Sequence, residues 1–248
     1  MNIRRISFPH LYNFRDLGGY EANGAVTSFG RLFRGDCPSK LTPEEWDRLK
    51  EMGVLQLIDL RSTYEVREDP VNPPDGIDYH HCPFLPEDHS IKDPGLASKK
   101  FLESLSLDYS FMLKRSLETA AKALSLITEC LSKGNVYFFC TAGKDRTGII
   151  AAAVLYLCGV APEDIIADYC ITEIYNADVI AERINSLPED MRAQISPESL
   201  EQASASKAFT MKDLLGWMDE NDFPALMQEN GFGTEGREAL RSALTIRS

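Results

Sequence analysis

Residues 135–157, NVYFFCTAGKDRTGIIAAAVLYL, constrain the fold more than any other stretch. Val136 to Phe139 reads as a buried strand, and the apolar run 149–157 is too long and too rich in Ala and Leu to continue it, so it reads as a buried helix. Between them lie Cys140, Thr141, Ala142, Gly143, Lys144, Asp145, Arg146 and Thr147. A strand, a tight turn and a helix N-terminus aim several backbone N–H groups at one point, where the positive end of the helix dipole also lies. That is an anion site. Cys140 opens the loop and Arg146 closes it, so a sulfur stands at the centre while a guanidinium can grip two phosphate oxygens. The same field favours a thiolate at Cys140.

The spacing Cys-x5-Arg-Thr resembles the signature loop of the cysteine-dependent phosphatases. More narrowly, CTAGKDRTG is similar to the loop of the bacterial and fungal tyrosine phosphatases with lipid phosphatase activity. Two further pieces match that family, 13–19 (NFRDLGG) and 32–36 (LFRGD), as does 58–62 (IDLRS) with Glu65 three residues on. The resemblance implies that Cys140 attacks phosphorus, Arg146 binds the phosphoryl oxygens and Thr147 hydrogen-bonds the leaving thiolate. The loop N–H groups of Thr141, Ala142, Gly143 and Lys144 then cradle the phosphoryl group, and Gly143 permits the turn. Lys144 is a second cation of the kind that accompanies activity on phosphoinositides. One position departs from the family: Phe139 stands where a histidine usually precedes the cysteine.

A general acid must protonate the leaving oxygen. Asp145 is the first choice because family members carry it in the loop; Asp59 is second and Asp36 third. The bland reading of Asp145 is a carboxylate that pairs with an arginine and braces the loop. Asp59 and Arg61, at the carboxyl end of a strand where open α/β sheets bind ligands, either border the phosphate site or form a structural salt bridge. Arg15 and Asp16 read as an ion pair or turn contact, and Arg34 equally as a strand residue with its head in water.

Other readings of the loop fit less well. A buried structural cysteine leaves Gly, Lys and Arg at these offsets unexplained. A nucleotide P-loop needs Gly-x4-Gly-Lys-Ser/Thr, but Phe138 stands at the first Gly. A phospho-binding module without catalysis keeps Arg146 and the nest. Sulfurtransferases lack the Arg-Thr ending, and arsenate reductases need shuttling cysteines. The phosphatase reading, on phosphotyrosine and with serine or phosphoinositide esters open, requires no metal and no cofactor.

Charge narrows the partners. A net charge of -12 argues against nucleic acid, and phosphorylated protein or phosphoinositide is the expected substrate. The six cysteines form no Cys-x2-Cys pair, which fits a reducing, cytoplasmic compartment, with unconventional export left open. No stretch has the apolar length of a signal peptide or a membrane span. His80 and His81 invite a metal reading, but neighbouring strand residues face opposite ways and the chain has four His in all. His89 and Asp88 read as an exposed loop that lines a cleft.

The remaining chain fits an α/β fold, a central mostly parallel sheet flanked by helices, over residues 1–248 as one domain with a helical C-terminal embellishment. Gly- and Asn-rich 11–35 predicts short strands and turns. Thr42, Pro43 and Glu45 start a capped helix that Gly53 ends, and the apolar strand 54–60 predicts a sheet covered on both faces. Residues 98–133 read as helical, with Tyr109, Phe111, Leu113, Leu117, Ala121, Leu124 and Ile127 inward. A helix from Pro162 turns Ile165, Ile166, Tyr169 and Ile174 inward. Residues 178–217 read as a lid over the site, or as a surface helical pair, and 237–244 as the last helix.

Overall fold

The computed structural model describes residues 4–85, 108–185, 189 and 205–247. Its main sheet has five strands: β1 (Arg15–Asp16), β3 (Leu32–Gly35), β6 (Asn135–Phe139), β4 (Val54–Asp59) and β5 (Asp78–His81), in that spatial order. Only β1 runs antiparallel to its neighbour; β3, β6, β4 and β5 are parallel. A short antiparallel pair, β2 (Ala25–Thr27) with β7 (Thr245–Arg247), ties the C-terminal segment to the first turns.

The central strand β6 is buried on both faces, as a covered parallel sheet requires. Val136 and Phe138 enter one core, which holds the helices α4 (Leu117–Leu131) and α5 (Asp145–Cys158). Tyr137 and Phe139 enter the other, with Trp46 and Leu49 of α1 (Pro43–Glu51). Phe14 lies in this second core, stacked on Phe33 and edge-on to Phe8 and Tyr137. Each such ring contributes about 1.5–3 kcal/mol by burial. The loop between β6 and α5 thus rises from a strand buried between two cores.

Capping agrees with the sequence where it is local. Thr42 and Glu45 form a capping box before α1, and Ser62 and Glu65 form a second one before α2 (Thr63–Glu68). The expected 98–133 helix differs: 98–107 lie outside the described residues, and the rest breaks into α3 (Tyr109–Lys114) and α4 at Ser116. Phe111 is 53% exposed rather than inward. It stands two residues from Tyr109, about 200° around a helix, and Tyr109 takes the inward side.

The next helix is α6 (Pro162–Asn185), followed by α7 (Ala208–Glu220), α8 (Phe223–Glu229) and α9 (Thr234–Leu244). On α6 the inward row is Ile165, Asp168, Tyr169, Thr172 and Asn176, which leaves Ile174 72% exposed, contrary to expectation. The last helix begins at Thr234, three residues before the expected start. Most of 186–204, with the middle of the expected lid, lies outside the described residues, as do His89 and Asp88. Helix α7 packs on α6 and α3 through a face that includes the buried Met211, Leu214, Leu215 and Met218.

Candidate active site

Residues 140–144 make the turn that carries the chain from β6 into α5. Gly143 has φ +66° and lies so close to Gly35 that a Cβ would collide with the Gly35 carbonyl and the Asp36 nitrogen. Only glycine satisfies both conditions. Lys144 is the N-cap of α5, and its side chain caps no N–H of the first turn.

Three side chains hold the back of the loop. Asn13 Nδ2 donates to the carbonyls of Ala142 and Gly143, each at 3.0 Å. Asn176 Nδ2 donates to Ala142 O at 2.7 Å, and Arg34 Nη2 to Gly143 O at 2.9 Å. Carbonyl and N–H of one trans peptide point in opposite directions. Anchoring these two carbonyls outward therefore turns the Gly143 and Lys144 N–H groups to the other side of the loop.

The anchors are themselves fixed by a buried carboxylate. Asp168 Oδ1 accepts from Arg15 Nε at 2.8 Å and Oδ2 from Arg34 Nη1 at 2.6 Å. Arg15 also reaches Thr172 Oγ1 at 3.0 Å and Asn13 Oδ1 at 2.5 Å. Burial alone would raise the Asp168 carboxyl, but the charges and hydrogen bonds of Arg15 and Arg34 bring it to about 2. Burial, with repulsion from Arg15, lowers Arg34 to about 10.

Glu65 positions the arginine of the loop. Its carboxylate accepts from Arg146 Nη1 at 2.6 Å and Nη2 at 2.8 Å, a bidentate pair. It also accepts from Thr141 Oγ1 at 2.5 Å and from the Ser62 backbone N–H at 3.0 Å. Partial burial opposes ionisation of Glu65, yet Arg146 overrides it and holds the carboxyl well below the usual range. Glu65 thus couples the capped start of α2 to both ends of the loop.

A profile of the tyrosine phosphatase family matches residues 6–246. The chain belongs to the tyrosine phosphatase family. It is 32% identical over 195 residues to the triple specificity protein phosphatase PtpB of Mycobacterium tuberculosis, an alignment that covers 68% of each chain. A Cupriavidus necator protein with a provisional tyrosine-protein phosphatase name is 31% identical over 69% of this chain and 64% of its own length. A tyrosine-protein phosphatase of Nostoc commune is 33% identical over 55% and 46% respectively.

The remaining candidates of this phosphatase separate into two groups. Cys140 is buried at the start of the loop, and Thr147, on the first turn of α5, has a buried hydroxyl with no hydrogen-bond partner among the described residues. Lys144 is buried too, with its ammonium 3.9 Å from Asp145 Oδ1. The Asp145 side chain keeps 30% of its surface exposed. These residues, with Thr141, Ala142, Gly143 and Arg146, form one cluster.

Asp59 and Arg61 form a pair of their own. Asp59 is fully buried and accepts from Arg61 Nε at 3.0 Å, Arg61 Nη2 at 2.7 Å and Tyr79 Oη at 2.8 Å. Arg61 Nη1 donates to Asp69 O at 3.0 Å. The salt-bridge alternative describes this geometry. Asp36 accepts from the backbone N–H groups of Tyr12 and Asn13, and burial pushes its carboxyl up to about 6. Phe139 is fully buried, with the Arg61 guanidinium 5.8 Å above its ring. His80 bonds Gln56 and His81 bonds Arg61 O, so the two imidazoles part.

Several supports carry no signature that the sequence offers. Asp168 and Asn176 are ordinary polar positions in α6, and neither the apolar period nor a motif singles them out. Glu65 does have a signal, because it closes the Ser62 capping box and follows the recurring IDLRS string.

Proposed function

We propose that the chain, acting as one domain, hydrolyses phosphotyrosine monoesters through a cysteinyl-phosphate on Cys140. The observation that carries this reading is the bidentate grip of Glu65 on Arg146 within the loop that also holds Cys140. A guanidinium fixed in this way keeps its remaining N–H donors aimed, so phosphoryl transfer needs no rearrangement.

In the first step the Cys140 thiolate attacks phosphorus. The S–P bond forms as the P–O bond to the phenol breaks, and Asp145 gives its proton to the leaving oxygen. Water then attacks phosphorus, Asp145 takes a proton from it, and the thiolate leaves with phosphate as the second product. The N–H groups of 141–144 and Arg146 stabilise the equatorial oxygens throughout. Thr147, whose hydroxyl has no partner among the described residues, donates to the sulfur as it regains charge.

A wider substrate range has one support in the site. Lys144 adds a cation to the loop, suited to the extra phosphates of a phosphoinositide headgroup, and the Mycobacterium relative is named for triple specificity. The acidic balance of the chain opposes a nucleic-acid partner, and free cysteines suit a reducing, cytoplasmic setting. No helix among the described residues is long and apolar enough to cross a membrane.

The test is phosphate release from a phosphotyrosine peptide, a phosphoserine peptide and a soluble phosphoinositide, for wild type and Cys140→Ser. Cys140-dependent release supports the enzyme, and the ranking of the three gives its class. Phosphate binding by both proteins with no release by either would favour a phospho-binding module instead.

A further inference from the structure

Asp145 is held most closely by a neutral donor. Its Oδ1 accepts from the Tyr109 hydroxyl at 2.6 Å, whereas the Lys144 ammonium stands at 3.9 Å. Among the described residues no arginine hydrogen-bonds it, and the shortest bond to its carboxylate comes from the phenol. The Tyr109 hydroxyl lies 2.8 Å from the Tyr169 hydroxyl. A phenol has one proton, and Tyr109 gives its own to the carboxylate, so Tyr169 is the donor in the second bond. Donation therefore runs from Tyr169 to Tyr109 to Asp145.

Both rings are buried, 3% and 2% exposed, and meet edge to face with centroids 5.6 Å apart. They come from separate helices. Tyr109 opens α3, whose cap Asp108 binds the N–H groups of Ser110 and Phe111. Tyr169 projects from α6, and Gly148 in α5 makes room for it, since a Cβ there would lie 3.3 Å from the Tyr169 ring. Glycine costs about 1 kcal/mol inside a helix relative to Ala. Here it lets a second helix bring a hydroxyl to the chain.

We propose that Tyr109, held by Tyr169, is a positioning residue for the acid step: by occupying Oδ1 of Asp145 it leaves Oδ2 to carry the transferred proton. The proposal rests on the reading of Asp145 as the general acid. A cation bonded to the carboxylate would favour its ionised form and oppose protonation. A phenol fixes the same geometry without a formal charge, and it stays bonded to Oδ1 whether or not Oδ2 is protonated. In the step itself the Oδ2 proton passes to the ester oxygen as its bond to phosphorus breaks, while the Tyr109 proton stays on Tyr109.

The experiment compares wild type, Asp145→Asn, Tyr109→Phe and the double variant on aryl phosphates of graded leaving-group acidity, with kcat and KM resolved. Asp145→Asn is expected to slow phenyl phosphate about 10²–10⁴-fold and 4-nitrophenyl phosphate far less. Tyr109→Phe is expected to show the same selectivity in kcat, about tenfold on the phenyl ester, with KM little changed. The double variant should be no slower than Asp145→Asn alone, because the two act through one carboxylate. A fold defect slows all esters alike, so the ratio between esters reads the role independently of stability. Tyr169→Phe should give a smaller loss of the same selectivity. Equal slowing of both esters by Asp145→Asn would remove the acid reading, and the proposal with it. A selective Asp145→Asn beside an unselective Tyr109→Phe, or losses that multiply in the double variant, would overturn the positioning role and leave the acid reading standing.

Discussion

Glu65 holds Arg146 through both carboxylate oxygens, at 2.6 and 2.8 Å, and the same carboxylate closes the cap of α2. One residue therefore sets the direction of the loop arginine and ties it to the end of β4. Glu65→Gln keeps the side chain's length but gives up the bidentate charge pair, so Arg146 loses its fixed direction. Expected is a fall in kcat/KM of about 10–100-fold with a small stability change, since the pair is partly exposed. Ser62→Ala removes the cap and one hydrogen bond to Glu65 Oε2, at 2.9 Å, but leaves the bidentate pair, so it should cost about 1 kcal/mol in denaturant melts and less activity than Glu65→Gln.

Gly143 tolerates no side chain. With φ +66° and the Gly35 carbonyl against the site of a Cβ, Gly143→Ala meets both backbone strain and a clash with backbone that cannot swing away. A loss of about 1–3 kcal/mol is expected from the strained conformation. Vanadate or phosphate binding, read by calorimetry, should weaken more than the melting temperature alone accounts for.

Asp168 sits fully paired between Arg15 and Arg34. Asp168→Asn leaves two buried guanidiniums without their counter-charge, so about 3–5 kcal/mol of stability should disappear at neutral pH. The carboxyl is lowered to about 2, so its contribution is present above the ordinary carboxylate range and is lost as pH falls through about 2. Chemical denaturation should find the full wild-type advantage over the variant at pH 7 and a smaller one at pH 3, which lies between the unfolded and the folded carboxyl values.

Asp36 has the opposite sign. Burial raises its carboxyl to about 6, so between about 4 and 6 the folded chain binds a proton that the unfolded chain does not. Its contribution to stability should therefore fall as pH rises through this window, by about 3 kcal/mol. Denaturant melts from pH 4.5 to 7.5 should show that slope in wild type and a flatter one in Asp36→Asn.

How far the sequence reaches depends on range. The loop was legible because its pieces are adjacent in the chain: a β-run, a turn with Gly143, a helix, and Cys140 and Arg146 at fixed offsets. The parallel sheet followed from the apolar run 54–60 and from helical chain lying between it and the buried strand Val136 to Phe139. The roles of the supports were not legible, because Asn13, Arg34, Asp168 and Asn176 meet the loop only after three separate segments, the turn before β1, β3 and α6, assemble around it. Arg34 shows this best: a strand pattern leaves its head in water or buried with equal ease, and Asp168, 134 residues away, decides the matter. Hydrophobic counting also overreached at Phe111 and Ile174, where an apolar residue lies off the inward row that Tyr109 and Tyr169 occupy. For Asp59 and Arg61 the sequence left two alternatives open, and the ion pair between them is present.

Cys140 as the nucleophile is tested most directly by acid-quenching the enzyme during turnover of a phosphotyrosine peptide and mapping the phosphoryl group by mass spectrometry. The expected result is one phosphoryl group on the peptide that contains Cys140 in wild type, and neither that adduct nor product release in Cys140→Ser. Turnover that persists in Cys140→Ser, or a phosphoryl group trapped on another residue, would contradict it.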